Sequence, residues 1–298
     1  MVQVCGCRLV DIDDAVQGAV VPLALLYPAD GVEAAEHFGP YTVNLARDAP
    51  PAAGAYPLVL ISHGNAGTPW AYRQMARHLV QAGFVVALPA HTGNTRHDNS
   101  LAGTAANLAN RPRHITLAID AALADPVLRH HVAGDGIAVI GHSIGGYTAL
   151  AAAGGQPWSG PRESKDGLPQ PVPVQADARV RALVLLNPAT FWFVDGSLQA
   201  VRAPILMRTG EKDDITPAEH AQKIIDGVAD ASLVEQREIA GAGHFAFMSK
   251  FPPEMTRPNF KPSQDPPGFD RDTVQPELFA DVTEFLRRTL RPTAPCAV

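Results

Sequence analysis

Short apolar segments rich in β-branched residues alternate with longer helical patterns along most of this 298-residue sequence. The apolar segments predict strands near residues 4–10, 19–27, 58–62, 84–88, 136–141, 181–187, 204–209 and 233–239. The helical patterns lie at about 69–82, 113–124, 144–153, 217–228 and 277–290. Such alternation builds a mostly parallel sheet covered by helices on both faces. We therefore predict an α/β fold with an eight-stranded sheet, in which the first two strands form an antiparallel N-terminal edge because no helix separates them.

Two proline-rich stretches interrupt this alternation. Residues 155–175 contain five prolines and residues 252–276 contain seven. Because proline lacks a backbone N–H and clashes within a helix, neither stretch should form regular helix or central strand. The alternation resumes after each stretch, so we predict a single domain over residues 1–298 that carries two insertions.

The composition argues against several classes of partner. The net charge is −6 and no run of Lys or Arg occurs, so neither nucleic acid nor an anionic membrane is an expected partner. No apolar segment approaches the roughly 18 residues that a membrane-spanning helix needs. The N-terminal sequence has no basic start followed by a long apolar segment, so we expect no secretory signal and a cytoplasmic location.

The three cysteines are Cys5, Cys7 and Cys296. An odd number placed near the two ends of the chain does not suit a disulfide framework. The Cys5-x-Cys7 pair lacks two further ligands at the spacing of a structural zinc site. We therefore predict no metal site.

The segment VIGHSIGG at residues 139–146 carries the strongest chemical signal. Ser143 follows a predicted strand and precedes a predicted helix, and in that context the G-x-S-x-G pattern indicates a nucleophile elbow. Gly141 and Gly145 would permit a turn too tight for side chains, although a purely structural turn is the alternative. The turn would expose the serine oxygen and direct the backbone N–H of Ile144 toward the group that the serine attacks.

A serine hydroxyl is a weak nucleophile unless a base removes its proton and a third group orients that base. His244 is the candidate base, because it lies in the glycine-rich segment GAGHFAF after the last predicted strand. His142 is adjacent to Ser143 and should be turned away by the elbow. The histidines on or beside helical segments are predicted to be surface residues: His78, His114, His130, His131 and His220.

The candidate acid is Asp213, which follows the strand predicted at 204–209. The adjacent Asp214 is an alternative, and Asp195, after the preceding strand, is a third. A solvated turn before the helix is the non-catalytic interpretation, since Thr216-Pro217 resembles a cap followed by proline in the first turn.

The segment LISHGNAGTP leaves another strand through a tight turn. An oxyanion hole needs a second N–H besides that of Ile144, and the loop after this strand can supply it. We assign the second donor to the backbone of Asn65. A plain strand-to-helix turn is the alternative.

These motifs resemble the α/β-hydrolase fold. Within it, the segments LISHGNAG, GFVVALPAHTGNT, IGHSIGG, GAGHFAF and DPPGFDR are similar to bacterial proteins called predicted dienelactone hydrolases. Those are relatives of the platelet-activating-factor acetylhydrolases and, more distantly, of cutinase-like polyesterases. The likeness covers nearly the whole chain and implies hydrolysis of carboxylic esters without a metal or cofactor. True dienelactone hydrolases use a cysteine nucleophile, whereas position 143 is serine, so the family label does not define the substrate.

Ligands of this architecture bind at the carboxyl ends of the strands. The predicted pocket residues follow strands or flank the catalytic segments: His63, Trp70, His91, Phe191, Trp192 and Phe245. We expect the two proline-rich stretches to pack beside the entrance and to favour a compact ester.

The leading functional hypothesis is a serine esterase that acts on a small or medium carboxylic ester. An amidase or peptidase would use the same triad, and a polyesterase-like activity is a further alternative. A binding protein that kept the fold and lost the chemistry is a remote alternative.

Overall fold

The structure is a computed structural model that describes residues 3–164 and 166–290. Cys296 lies outside the described residues. The strands are β1 (Val4–Asp14), β2 (Ala19–Ala29), β3 (Ala34–Phe38), β4 (Tyr41–Arg47), β5 (Tyr56–Ser62), β6 (Val85–Pro89), β7 (Val132–Ser143), β8 (Val180–Pro188), β9 (Ile205–Gly210) and β10 (Val234–Ile239). The helices are α1 (Arg73–Gln81), α2 (Ala105–Ala124), α3 (Ile144–Ala152), α4 (Ala218–Gly227) and α5 (Arg271–Thr289).

The strands form one sheet in the order β10-β9-β8-β7-β5-β6-β2-β1-β4-β3. The six strands from β10 to β6 in that order are parallel, and β2 runs antiparallel to both β6 and β1. The mostly parallel sheet and all eight predicted strands are therefore confirmed. The predicted number of eight is wrong, because the described residues form ten strands. The antiparallel pair β1 and β2 is not the edge, since β4 pairs with β1 and β3 lies outermost.

Alternate residues of the central strands face two separate cores, as the period of a strand requires. In β5, Val59 and Ile61 pack on the face covered by α1 and α5. Leu58 and Leu60 pack on the face covered by α2, α3 and α4. Because both faces are buried, the central strands are mostly apolar, and many polar side chains lie where the strands end.

The two proline-rich stretches differ in structure. Among the described residues of 155–175, the backbone forms turns and one isolated bridge between Trp158 and Pro171. The second stretch was predicted to be irregular up to residue 276, and this is wrong for its last residues, because α5 begins at Arg271 and contains Pro276. Proline removes one intrahelical hydrogen bond, and the buried face of α5 offsets that loss. None of the helices in the described ranges is long and apolar enough to cross a membrane.

Candidate active site

The G-x-S-x-G segment forms a sharp turn between β7 and α3. Ser143 has φ +58° and ψ −124°, a conformation that is strained for a residue with a side chain. A Cβ atom at Gly141 would overlap the backbone of Gly145, and one at Gly145 would overlap the carbonyl of Ser62. The two glycines therefore permit the turn, and the predicted elbow conformation is present at the N-terminus of α3.

The structure brings Asp213 and His244 together. Asp213 lies in the turn after β9, His244 lies in the loop after β10, and both side chains are buried. His244 Nδ1 is 2.8 Å from Asp213 Oδ2, and the imidazole donates this hydrogen bond because a carboxylate only accepts. Nε2 of His244 is then the nitrogen that can accept a proton. The other two acid candidates, Asp214 and Asp195, are exposed.

Thr216 holds the Asp213 carboxylate, a contact that the sequence did not predict. The backbone N–H groups of Ile215 and Thr216 each donate to Asp213 Oδ1 at 2.9 Å, and Thr216 Oγ1 donates to Oδ2 at 2.7 Å. Burial opposes ionisation of Asp213, but the hydrogen bond and charge of His244, together with the Thr216 contacts, outweigh it and lower the pKa below its ordinary value. The expected helix cap is wrong, because α4 begins after Pro217 and the Thr216 hydroxyl makes no cap bond.

His142 connects the elbow to the loops on either side of it. Its Nε2 is 2.8 Å from the carbonyl oxygen of His244, and its Nδ1 is 2.7 Å from the hydroxyl of Tyr72. Because a carbonyl only accepts, Nε2 carries the proton and Nδ1 accepts from Tyr72, whose oxygen accepts from the Gly64 N–H at 3.3 Å. Burial, reinforced by the nearby His244, lowers the pKa of His142 to about 3. The ring therefore stays neutral, and this series of hydrogen bonds keeps one direction.

The two predicted oxyanion donors lie beside Ser143. Ile144 is the first residue of α3, and the N–H groups of the first helical turn have no acceptor within the helix. Asn65 follows β5 and lines the same cavity as Ser143. The role of both residues as oxyanion donors stays a prediction.

A buried network holds the loop that follows β5. Asn94 donates to Asn65 Oδ1 at 2.7 Å, and Arg111 donates to Asn94 Oδ1 at 2.6 Å. Arg111 also donates to Thr148 Oγ1 at 2.9 Å and to the carbonyl of His63. Arg111 is fully buried, and burial lowers its pKa to about 9. Its hydrogen bonds run to neutral acceptors, so a buried cation connects α2 to this loop.

His63 and His91 do not reach the cavity beside Ser143, so their prediction as pocket residues is wrong. Both are fully buried beneath the loop after β5, where the His91 N–H donates to His63 Nε2 at 3.1 Å. His114 and His220 are also buried, which corrects the prediction that they are surface residues.

The four aromatic residues predicted to line the pocket lie in three different places. Phe245 lines the cavity beside Ser143, whereas Trp70 lines a neighbouring cavity. Phe191 is 61% exposed, and Trp192 packs edge-on against Tyr147 with ring centroids 5.0 Å apart. Neither Phe191 nor Trp192 lines the Ser143 cavity.

The cavity beside Ser143 has a volume of about 320 Å³. Its walls come from the start of β4, the loops after β5, β6, β9 and β10, the elbow itself, and the second proline-rich stretch. The apolar lining residues are Tyr41, Ile215, Phe245, Met248, Phe251, Phe260 and Pro262. The second stretch therefore contributes directly to the cavity through Phe260 and Pro262.

The described part of the chain contains no group of three or more His, Cys, Asp or Glu side chains placed to hold a metal ion. Cys5 and Cys7 are buried in β1 as free thiols. Burial raises the pKa of each thiol to about 12, so both remain protonated core residues.

A family model described as chlorophyllase matches residues 31–158. A comparison with curated protein sequences gave no match. Among solved structures, a ferulic acid esterase from Streptomyces cinnamoneus has a TM-score of 0.72 and 18% identity, over 99% of this chain and 93% of the other.

Two further structures are similar over most of their length. A dienelactone hydrolase-like promiscuous phosphotriesterase from metagenomic libraries has a TM-score of 0.61 and 16% identity, over 96% of this chain and 99% of the other. A dienelactone hydrolase from Anabaena variabilis has a TM-score of 0.58 and 17% identity, with the same two coverages of 96% and 99%. The chain therefore has the α/β-hydrolase fold, and these likenesses are consistent with the dienelactone hydrolase-like esterases that its motifs resemble.

Proposed function

We propose that the protein is a serine hydrolase that cleaves a small or medium carboxylic ester by means of Ser143, His244 and Asp213. The observation that carries the proposal is the buried 2.8 Å contact between His244 and Asp213, beside a cavity that also contains the strained Ser143. A base oriented by a third group is what a serine hydroxyl requires to become an effective nucleophile. The names of two structural neighbours, a ferulic acid esterase and a dienelactone hydrolase, support the ester class.

In the first half of the reaction, His244 Nε2 takes the proton of Ser143 as Oγ attacks the ester carbonyl carbon. The carbonyl oxygen becomes negatively charged and accepts hydrogen bonds from the backbone N–H groups of Ile144 and Asn65. The buried Asp213 carboxylate, ionised because its pKa is lowered, stabilises the imidazolium that forms. When the tetrahedral intermediate collapses, the C–O bond to the alcohol breaks and His244 protonates the leaving oxygen.

In the second half, water hydrolyses the acyl-enzyme by the same steps. His244 removes a proton from the water molecule, whose oxygen attacks the acyl carbon. Collapse of this intermediate breaks the bond to Ser143 Oγ, and His244 returns the proton to that oxygen. The acid product leaves and the triad is restored, so no cofactor takes part in the proposed cycle.

A fluorophosphonate probe and an ester assay test the proposal together. The probe should label Ser143 in the folded protein, as peptide mass spectrometry would show. Ser143→Ala should lose on the order of 10⁶ in kcat while its thermal unfolding stays close to that of the wild type. Ser100→Ala, which changes an exposed serine in a loop, is the matched control and should retain labelling and activity. Absence of label on Ser143 in folded protein would favour a non-catalytic binding protein and would refute the proposal.

Amide hydrolysis is the second candidate, because the same triad can protonate an amine leaving group. Parallel assays on p-nitrophenyl esters and the matching anilides separate the two activities, and a higher kcat/KM for the anilides would replace the ester assignment. A soluble polyester oligomer tests the polyesterase-like alternative in the same assay.

A further inference from the structure

A second cavity, of about 520 Å³, adjoins the cavity that contains Ser143. It lies at the carboxyl end of β6, across β1, β2 and the turn between β3 and β4. Four residues line both cavities and form the wall between them: Tyr41, Gly67, Thr68 and Arg96. Gly67 and Thr68 continue the loop that carries Asn65. A group that extends from the carbonyl carbon past this loop therefore enters the second cavity.

The lining of the second cavity is mostly apolar. Leu9 is 52% exposed and Val20 is 45% exposed there, on the antiparallel strands β1 and β2. Phe38 and Trp70 stack with ring centroids 3.5 Å apart and planes inclined by 15°. Apolar side chains that meet water in a concave site indicate a ligand-binding or contact surface. A stacked aromatic pair beside aliphatic side chains is suited to the face or edge of a flat apolar ring.

The cavity volumes give a second reason to consider the two sites together. The Ser143 cavity, at about 320 Å³, is near the lower limit of roughly 300 Å³ for pockets that bind small molecules. An ester with a bulky ring-containing group on one side would occupy the adjoining space as well as this cavity. The second cavity lies on the other side of this loop from Ser143. It would therefore bind a part of the substrate that takes no part in the reaction.

We propose that the second cavity binds a flat, apolar, ring-containing group on one side of the ester substrate. The proposal rests on the proposed function, since it places the scissile carbonyl at Ser143. It also changes the expectation of a compact ester, because the group in the second cavity is bulky. The ring belongs either to the acid or to the alcohol, and apolar shape is the property recognised in both cases.

Two naphthyl esters and their phenyl analogues distinguish these cases. The esters are 2-naphthyl acetate with phenyl acetate, and methyl 2-naphthoate with methyl benzoate. The double variant Leu9→Gln/Val20→Gln makes the cavity polar, whereas Val16→Gln/Val32→Gln makes the same change at exposed positions outside it. Each constituent single variant is measured as well, so that the test does not depend on one double variant folding.

We expect the ratio of kcat/KM between naphthyl and phenyl esters to fall about tenfold or more in the cavity variant for one of the two pairs. The pair that responds identifies which side of the ester the cavity holds. Phenyl esters should change by less than about twofold, and the control variant should match the wild type. Unchanged ratios in both pairs would overturn the proposal while leaving the esterase function intact.

Calorimetric binding of the same naphthyl esters to Ser143→Ala tests the cavity without catalysis. Binding should weaken about tenfold when the Leu9 and Val20 changes are added to Ser143→Ala. If the wild type hydrolyses no ester but this binding difference is present, the proposed function fails and the apolar site stands. If the cavity variant instead alters only the sedimentation of the protein, the surface contacts a second copy of the chain and the substrate proposal is overturned.

Discussion

Replacing Arg111 with methionine would test how the loop that carries Asn65 is held. The guanidinium is fully buried and donates to four neutral acceptors: Asn94 Oδ1, Thr148 Oγ1, Ser62 Oγ and the carbonyl of His63. Methionine has a similar length and fills most of the volume, but it donates no hydrogen bond. The loop would therefore lose its connection to α2 without gaining a large void.

The expected loss of stability follows from those four contacts. A buried polar group left without its partner costs about 1–3 kcal/mol. Removal of a cation that has no buried counter-ion offsets part of this cost, because desolvation of an ion in a protein interior costs several kcal/mol. We expect a net decrease of about 3 kcal/mol in the free energy of unfolding of Arg111→Met. Arg111→Lys keeps the charge and part of the hydrogen bonding, so its decrease should be smaller.

Urea unfolding and ester kinetics measure the two consequences separately. Arg113→Met is the matched control, because Arg113 lies on the same helix and pairs with Asp14 at 2.7 Å. If the network positions Asn65, Arg111→Met should lower kcat by about 10²-fold, near the effect of losing one oxyanion donor, with KM changed by less than about threefold. A stable Arg111→Met protein with unaltered kcat would refute the reasoning, as would equal kcat losses in both variants.

Three further predictions concern the acid, the pH dependence of stability and the first proline-rich stretch. Asp213→Asn should lower kcat by about 10⁴-fold, whereas the exposed Asp214→Asn should have little effect. The opposite result would show that Asp214 is the acid of the triad. Burial lowers the pKa of His63 and of His142 from 6.5 to about 3, so below pH 6.5 the unfolded chain binds protons that the folded protein does not. Stability should therefore fall by about 3 kcal/mol from these two residues between pH 6.5 and 5, and urea unfolding midpoints that do not change over this range would contradict it. Shortening 158–172 to a Gly-Ser turn should leave the kcat/KM ratio of acetyl to octanoyl esters unchanged, and a shift in that ratio would place this stretch at the entrance.

The elbow was predictable because its constraint is local. Gly141 and Gly145 are required by backbone atoms only a few residues away or on the adjacent strand, and the pattern records that requirement directly. His244 and Asp213 were predictable for a related reason. Parallel strands end at the same edge of the sheet, so polar residues that directly follow two neighbouring strands lie close together.

Strands β3 and β4 were missed although β4 carries a signal. Tyr41, Val43 and Leu45 are buried, and Thr42 and Asn44 between them are exposed. This is the period of two that a half-buried strand shows. The segment is short and follows a polar stretch, so it was not separated from a loop without knowledge of its pairing with β1.

The environments of the histidines could not be derived from local sequence. His91 has ring contacts with Ser62 at 2.8 Å and with His114 at 3.2 Å, and both partners are more than twenty residues away in the chain. A histidine on a helix, such as His114, can be buried only where partners of this kind form hydrogen bonds with its ring nitrogens. Whether partners meet depends on strand order and helix packing, and the spacing of residues within one element does not report either.

The two proline-rich stretches show how closeness in sequence to a catalytic residue can differ from closeness in space. Residues 155–175 follow α3, whose nine residues carry the chain about 13 Å away from Ser143. There the stretch packs on the loop after β8, with the Trp158 N–H donating to the carbonyl of Trp192 at 2.7 Å. Residues 252–270 follow the His244 loop with no α-helix between them, so Phe260 remains at the cavity wall. The predicted narrowing of the entrance therefore rests on the second stretch, because no described residue of 155–175 lines the Ser143 cavity.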